Sequence, residues 1–196
     1  MTNCVVVILD IENHGCENGD KYAQINRGDG MPIEGILRRS DIFLGLDDSD
    51  LKMIASLPST KQMDFQIGQF LFKAGDAAEN IYILEEGQIN LIEEIPPHSD
   101  NVATQVIVEI VNKGSLVGWS ALVRPHSYAL SAICQRPCKL VFISGRELLN
   151  LFEQNHSIGY KVYQGLSQVV GARFRNLQQI LISGKRWPFI GKRAGT

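Results

Sequence analysis

Residues 61–146 break into short apolar or alternating runs, at 70–72, 81–84, 88–92, 105–111, 129–133 and 140–143. Turn signals separate them: Ile67-Gly68, Ala74-Gly75-Asp76, Glu86-Gly87, Pro96-Pro97, Lys113-Gly114 and Arg136-Pro137. Many short strands at near-regular spacing, punctuated by Gly and Pro, specify an antiparallel barrel or jelly roll. Residues 96–101, PPHSDN, read as an exposed hairpin tip.

On both sides of this region the period becomes helical. In ILRRSDIFLGLDDSDLKMIASL, two helical pieces are expected. Leu46-Asp47-Asp48-Ser49-Asp50 offers caps and first-turn acids, and Leu51, Ile54 and Ala55 follow at helical spacing. Beyond Gly145 the pattern predicts a short helix over 146–154 and a long one over 157–182. Along the long helix Ile158, Val162, Leu166, Val169, Val170, Phe174, Leu177 and Leu181 recur at steps of three or four. At about 1.5 Å per residue it runs nearly 40 Å, longer than a small barrel can cover. Its first half is expected to pack on the barrel and its second half on a partner helix. Val162, Leu166, Val169, Val170, Phe174, Leu177 and Leu181 are the candidate residues of such a homodimer. Gly165 and Gly171 each cost about 1 kcal/mol relative to alanine in a helix, and so mark expected points of close approach.

The fold class expected is therefore mostly β with flanking helices: a double-stranded β-helix jelly roll followed by a long C-terminal helix. One domain is expected over 36–182. Residues 1–35 read as an extension, with a strand-like start and then a polar, glycine-rich stretch without period. The Arg27-Gly28-Asp29 triplet within it is discounted as a chance match. Residues 183–196 form a tail in which Lys185, Arg186, Lys192 and Arg193 surround Trp187-Pro188-Phe189.

Charge is nearly balanced, 19 basic residues against 21 acidic, which argues against non-specific nucleic-acid binding. No apolar run approaches the roughly 20 residues of a membrane span, and no signal peptide is read, so the expected setting is cytoplasmic. The four cysteines, Cys4, Cys16, Cys134 and Cys138, make no disulfide framework or tetrahedral metal site. His14, His98, His126 and His156 are scattered, and no acid completes a triad with Ser131 and His126. Neither an enzyme nor a cofactor is expected.

The layout resembles that of cyclic-nucleotide-binding domains, and the residues extend the resemblance. IGQFLFKAGDAAENIYILEEGQINLIEE is similar to the first signature of that family: Gly68, Leu71-Phe72, Gly75-Asp76, Ile81-Tyr82-Ile83 and Gly87 in order. LRRSDIFLGLDDSDLKMIA is similar to the family's helical lead-in, and 117–132 falls where the family carries its phosphate-binding cassette. The resemblance spans 36–182, about three quarters of the chain.

The resemblance implies a cassette built from Gly118, Trp119, Ser120, Ala121, Leu122, Arg124, Tyr128, Ala129 and Ser131. In the family, amides at the start of a short helix face a cyclic phosphate. A Glu after the glycine accepts from the ribose, and an Arg ten residues after it pairs with the phosphate. Here those positions hold Trp119 and Tyr128. An indole accepts no hydrogen bond, and a phenol cannot replace a bidentate guanidinium. Two lost charge-assisted partners, at roughly 1.5–3 kcal/mol each, cost about two to four decades of affinity.

The expectation is a stand-alone regulatory or sensor module that binds cyclic AMP or GMP weakly or not at all. A small-molecule ligand of another kind stays open. So does a working sensor that relies on Arg124, on protonated His126 or on the amides of Ser120 to Leu122. A truncated transcription regulator is a third reading; the chain runs about 14 residues past its long helix, which leaves no room for a helix-turn-helix.

Overall fold

The computed structural model describes residues 31–95 and 104–182. The expectations for 1–30, for the 96–101 tip, for Cys4, Cys16, His14 and His98, and for the 183–196 tail lie outside the described residues.

The lead-in consists of α1 (Ile33–Leu37), a 3-10 turn (Asp41–Phe43) and α2 (Asp48–Ala55). Helix α1 thus starts three residues before the domain boundary expected at 36, and Ile36 and Leu37 are buried. Helix α2 begins at the acids that signalled it. The Asp47 carboxylate accepts from the Ser49 and Asp50 amides, each at 2.9 Å. Asp50 returns the favour by accepting from the Asp47 amide at 3.4 Å, which closes a capping box. The Ser49 hydroxyl and the Asp50 amide hold the Asp47 carboxyl below its ordinary value.

Among the described residues eight strands form two antiparallel sheets. One runs in the order β1 (Lys61–Phe65), β8 (Cys138–Ser144), β3 (Asn80–Glu86), β6 (Leu116–Val117). The other runs β2 (Phe70–Phe72), β7 (Ser131–Cys134), β4 (Ile89–Ile95), β5 (Thr104–Val111). This is the jelly roll expected, and Gly68, Gly75, Gly87 and Gly114 take left-handed backbone at its turns. Strands β1 and β6 were not among the expected runs. In β1 only Met63 and Phe65 are buried, and its extended form is set by pairing Lys61↔Phe142 through Phe65↔Cys138. Strand β6 is two residues long and exists through its pairing with Tyr82 and Ile83. The run expected to start at 129 starts at Ser131, because Tyr128 is held by the 74–76 turn: Gly75 N–H donates to Tyr128 O at 2.8 Å and Tyr128 N–H to Asp76 O at 3.0 Å.

Between the sheets lies one main core that includes Phe65, Ile81, Ile83, Leu84, Ile89, Leu116 and Leu140. Helices α3 (Gly145–Gln154) and α4 (His156–Ile182) close it. Lys161 of α4 reaches the Asp50 carboxylate at 2.6 Å, so the acid that completes the α2 cap also ties α2 to α4.

The single apolar stripe expected on α4 divides into two faces. Ile158, Val162, Leu166 and Val169 are buried against the chain's own core side. Val162, Leu166 and Val169 are therefore removed from the candidate dimer surface, since their area is already covered within the chain. Val170 is half-buried and also packs on the core. Phe174 and Leu177 are 60% and 38% exposed, and every described side chain from Phe174 to Gln179 is exposed. The Leu181 side chain lies outside the described residues.

Gly165 marks the contact of α4 with the first 3-10 turn. A Cβ there would lie 2.3 Å from the Ile42 carbonyl oxygen and 2.9 Å from its carbon. Gly171 has no such neighbour; its Cβ would meet only the Arg175 guanidinium at 3.4 Å. Gly165→Ala is expected to destabilise the fold by about 1–2 kcal/mol, as overpacking of roughly 1–3 kcal/mol exceeds the propensity gain of about 1. Gly171→Ala is expected to stabilise it by about 0.5–1 kcal/mol. Urea unfolding of both variants checks the pair, and a gain at Gly165 overturns the reading of that contact.

Candidate functional site

The cassette opens at Gly118, with φ 81° and ψ 25°. A Cβ at this position would sit 2.8 Å from the Asn80 carbonyl oxygen, so both conformation and space demand glycine. A 3-10 turn, Trp119–Leu122, follows. Ala121 and Leu122 are buried, and Trp119 is half-buried against the main core. Gly145, the first residue of α3, lies on Ala121; a Cβ there would come within 2.9 Å of the Ala121 Cβ and O. The Tyr163 hydroxyl of α4 donates to Leu122 O at 3.3 Å. Both terminal helices thus rest on the cassette.

Tyr128 points inward and is 4% exposed. Its ring lies flat on Phe72 of β2, with centroids 3.6 Å apart and planes 11° apart. The hydroxyl donates to Asn80 O at 2.8 Å and accepts from Asn80 N–H at 3.2 Å. The ring edge also reaches Gly118, where a Cβ would lie 3.3 Å from Tyr128 Cε1. Phe72 continues the aromatic cluster to Tyr82 at 5.9 Å, and Tyr82 to Phe142 at 5.7 Å. Burial pushes the Tyr128 phenol above its ordinary value, and the Glu79 charge adds to that push against the bonds from Asn80 and Tyr82.

The remaining cassette residues divide by exposure. Arg124 and Ala129 face solvent. Ser131 is buried, and its hydroxyl accepts from the Ala74 amide at 2.9 Å. His126 is half-buried, with φ 58°, and its Nδ1 lies 3.2 Å from Ala121 O. Its peptide is also committed: His126 N–H donates to Val123 O at 3.0 Å, and its carbonyl accepts from Ala78 N–H at 2.8 Å. Of the three amides expected to cradle an anion, Ala121 N–H donates within the turn to Gly118 O at 3.0 Å. No cluster of three or more metal-ligating side chains occurs among the described residues. Sequence reasoning missed Phe72 and Asn80 as partners of the cassette. Phe72 stood in the expected strand run, but nothing local joined it to Tyr128.

Tyr128→Phe keeps the ring stack and strips both bonds from Asn80, at an expected cost of about 1–3 kcal/mol. Tyr128→Ala is expected to cost about 3–5 kcal/mol through the cavity it leaves. In the wild type one phenol ionises above the ordinary tyrosine range, and Tyr128→Phe removes that late step from an ultraviolet absorbance titration. A phenol raised on folding stabilises the fold below its ordinary value and loses that contribution as pH rises through the raised one, so wild-type stability should fall there.

Comparison with known proteins places this geometry. Residues 62–155 match the family model of the cyclic nucleotide-binding domain. No curated protein matches the chain. Among solved structures, a provisionally named cyclic nucleotide-binding protein from Geobacter metallireducens GS-15 is 28% identical with a TM-score of 0.61, covering 74% of this chain and 99% of that one. A cyclic nucleotide-binding domain from Methylobacillus flagellatus KT is 22% identical with a TM-score of 0.64, covering 78% of this chain and 82% of that one. The regulatory domain of Toxoplasma gondii PKA, solved with cAMP, is 24% identical with a TM-score of 0.52, covering 61% of this chain and 42% of that one. Residues 62–155, which hold Tyr128 beneath its cassette turn, thus match the cyclic nucleotide-binding domain, and the jelly roll around them is similar to solved proteins of that kind.

Proposed function

We propose that this chain is a regulatory module of the cyclic nucleotide-binding-domain type whose ligand space is filled by its own aromatic side chains. The observation that carries the reading is the Tyr128 ring, stacked on Phe72 at 3.6 Å and bonded through its hydroxyl to both backbone groups of Asn80. A ring held on its face and at its tip is a fixed part of the interior. To admit a cyclic phosphate, the site would have to break that stack and both bonds. In return it would offer no inward guanidinium, since Arg124 is exposed. Weak or absent binding of cyclic AMP and GMP follows from this cost together with the missing Glu and Arg partners.

The output of such a module is assigned to α4. Tyr160, Tyr163, Ser167, Val170, Phe174 and Leu177 recur at alternating steps of three and four. That is the spacing of a coiled-coil seam, and it lies about a third of a turn around the helix from the buried face. Tyr160 is 72% exposed and Phe174 60%. A second copy, presenting the same stripe, is the partner this face fits. No helix among the described residues is long and apolar enough to cross a membrane, and a cytoplasmic setting belongs to this reading.

Calorimetry with cyclic AMP and cyclic GMP should give no binding tighter than about 1 mM; micromolar binding of either overturns the filled-site reading. Light scattering of the full chain should report two copies per particle, and Phe174→Asp combined with Leu177→Asp should report one. A wild-type monomer removes the homodimer.

A further inference from the structure

Across 156–182 the long helix carries Lys161, Arg173 and Arg175, and no Asp or Glu. Two copies that meet along α4 therefore find no opposite charge on each other's helix, and an unpaired cation beside the seam repels its counterpart. Two of the three cations are matched from elsewhere in the chain. Lys161 reaches the Asp50 carboxylate of α2 at 2.6 Å. Arg173 bends back onto the jelly roll, where its Nη2 donates to Leu116 O at 2.6 Å and its Nε lies 3.3 Å from Glu109 Oε1 of β5. Arg175 is exposed, and its guanidinium lies beside Gly171.

Of the two matched cations, Arg173 is the one whose charge bears on pairing. It directly precedes Phe174, so it borders the seam at a position where coiled coils carry the charges that set partner choice. Lys161 lies nearly half a turn around the helix from the seam. The Arg173 side chain is 16% exposed and that of Glu109 35%. The pair thus sits at the edge of water, where a charge left alone is felt by a neighbouring copy at low salt and screened at high salt.

We propose that Glu109 is a determinant of self-association although it lies outside the seam: it neutralises Arg173 and so lets two acid-free helices approach. The inference rests on the homodimer reading and adds to it the ion pair that allows a basic helix to meet its own copy. The Leu116 carbonyl fixes where the guanidinium sits, and Glu109 cancels its charge there. A second copy then meets Phe174 and Leu177 flanked by a neutral pair.

Sedimentation equilibrium of the full chain at about 20 mM and about 500 mM salt tests the proposal. Glu109→Gln keeps an acceptor for the Arg173 Nε and removes only the charge. It should raise the dimer dissociation constant about threefold at low salt, the scale of like charges roughly 10 Å apart near a protein surface. Arg173→Met strands the glutamate instead and should weaken the dimer by a similar factor. The double variant carries neither charge and should return to the wild-type value, and high salt should bring all of these proteins together. Single variants that associate as tightly as wild type at low salt overturn the proposal. So does a double variant as weak as either single one, which is the mark of a merely structural contact. A wild type that is monomeric at both salts removes the homodimer and this inference with it; a dimeric wild type whose dissociation constant the single variants leave unmoved removes the inference alone. Where one single variant does not fold, the other and the double variant decide.

Discussion

The Tyr128 ring lies flat on Phe72, and its hydroxyl occupies both backbone groups of Asn80. The geometry of the cassette is arranged around that one contact. Gly118 has left-handed backbone and no side chain, which leaves room for the ring edge and for the Asn80 carbonyl. The backbone on either side of Tyr128 joins the 74–78 turn, and Ser131 closes the same turn from the next strand. An aromatic side chain at this position replaces charge recognition with packing. Stacking and two neutral hydrogen bonds favour a closed interior, whereas a guanidinium there would need an anion to justify its burial.

The long helix leaves the jelly roll with two separate duties. Its first half buries Ile158, Val162, Leu166 and Val169 and meets the first 3-10 turn at a glycine, close enough for backbone to touch backbone. Its second half is held by polar contacts from Arg173, because no further apolar side chain of α4 turns into the core beyond Val170 among the described residues. The two halves of one helix are thus held by different forces, apolar burial in the first and polar contacts in the second. They also touch the cassette at different places: Tyr163 bonds Leu122 after its turn, and Arg173 bonds Leu116 before it.

Much of this architecture was legible in the residues. The Gly and Pro punctuation located six of the strands, and Asp47 with Asp50 announced the start of α2. The two strands that escaped, β1 and β6, carry too few apolar residues to signal themselves and are extended because a neighbour pairs with them. The site followed the same division. Gly118, Ala121 and Leu122 were readable as a cassette, and Tyr128 as a departure from it. The contacts of His126 with Ala121 and Ala78 were not legible, because they are made by folding the loop back on itself.

By itself the sequence determined a jelly roll with helical flanks, and it placed a neutral ring where the family keeps a cation. Local turn chemistry and apolar period are written in consecutive residues, so these features could be read directly. What that ring does was decided only by the tertiary structure. Tyr128 meets Asn80 across 48 positions of sequence, and Arg173 meets Leu116 across 57. Such contacts depend on how two sheets and a helix are laid together. Which apolar residues of α4 are spent inside the chain and which remain on its surface was settled in the same way, because period names a stripe but not the neighbour that covers it.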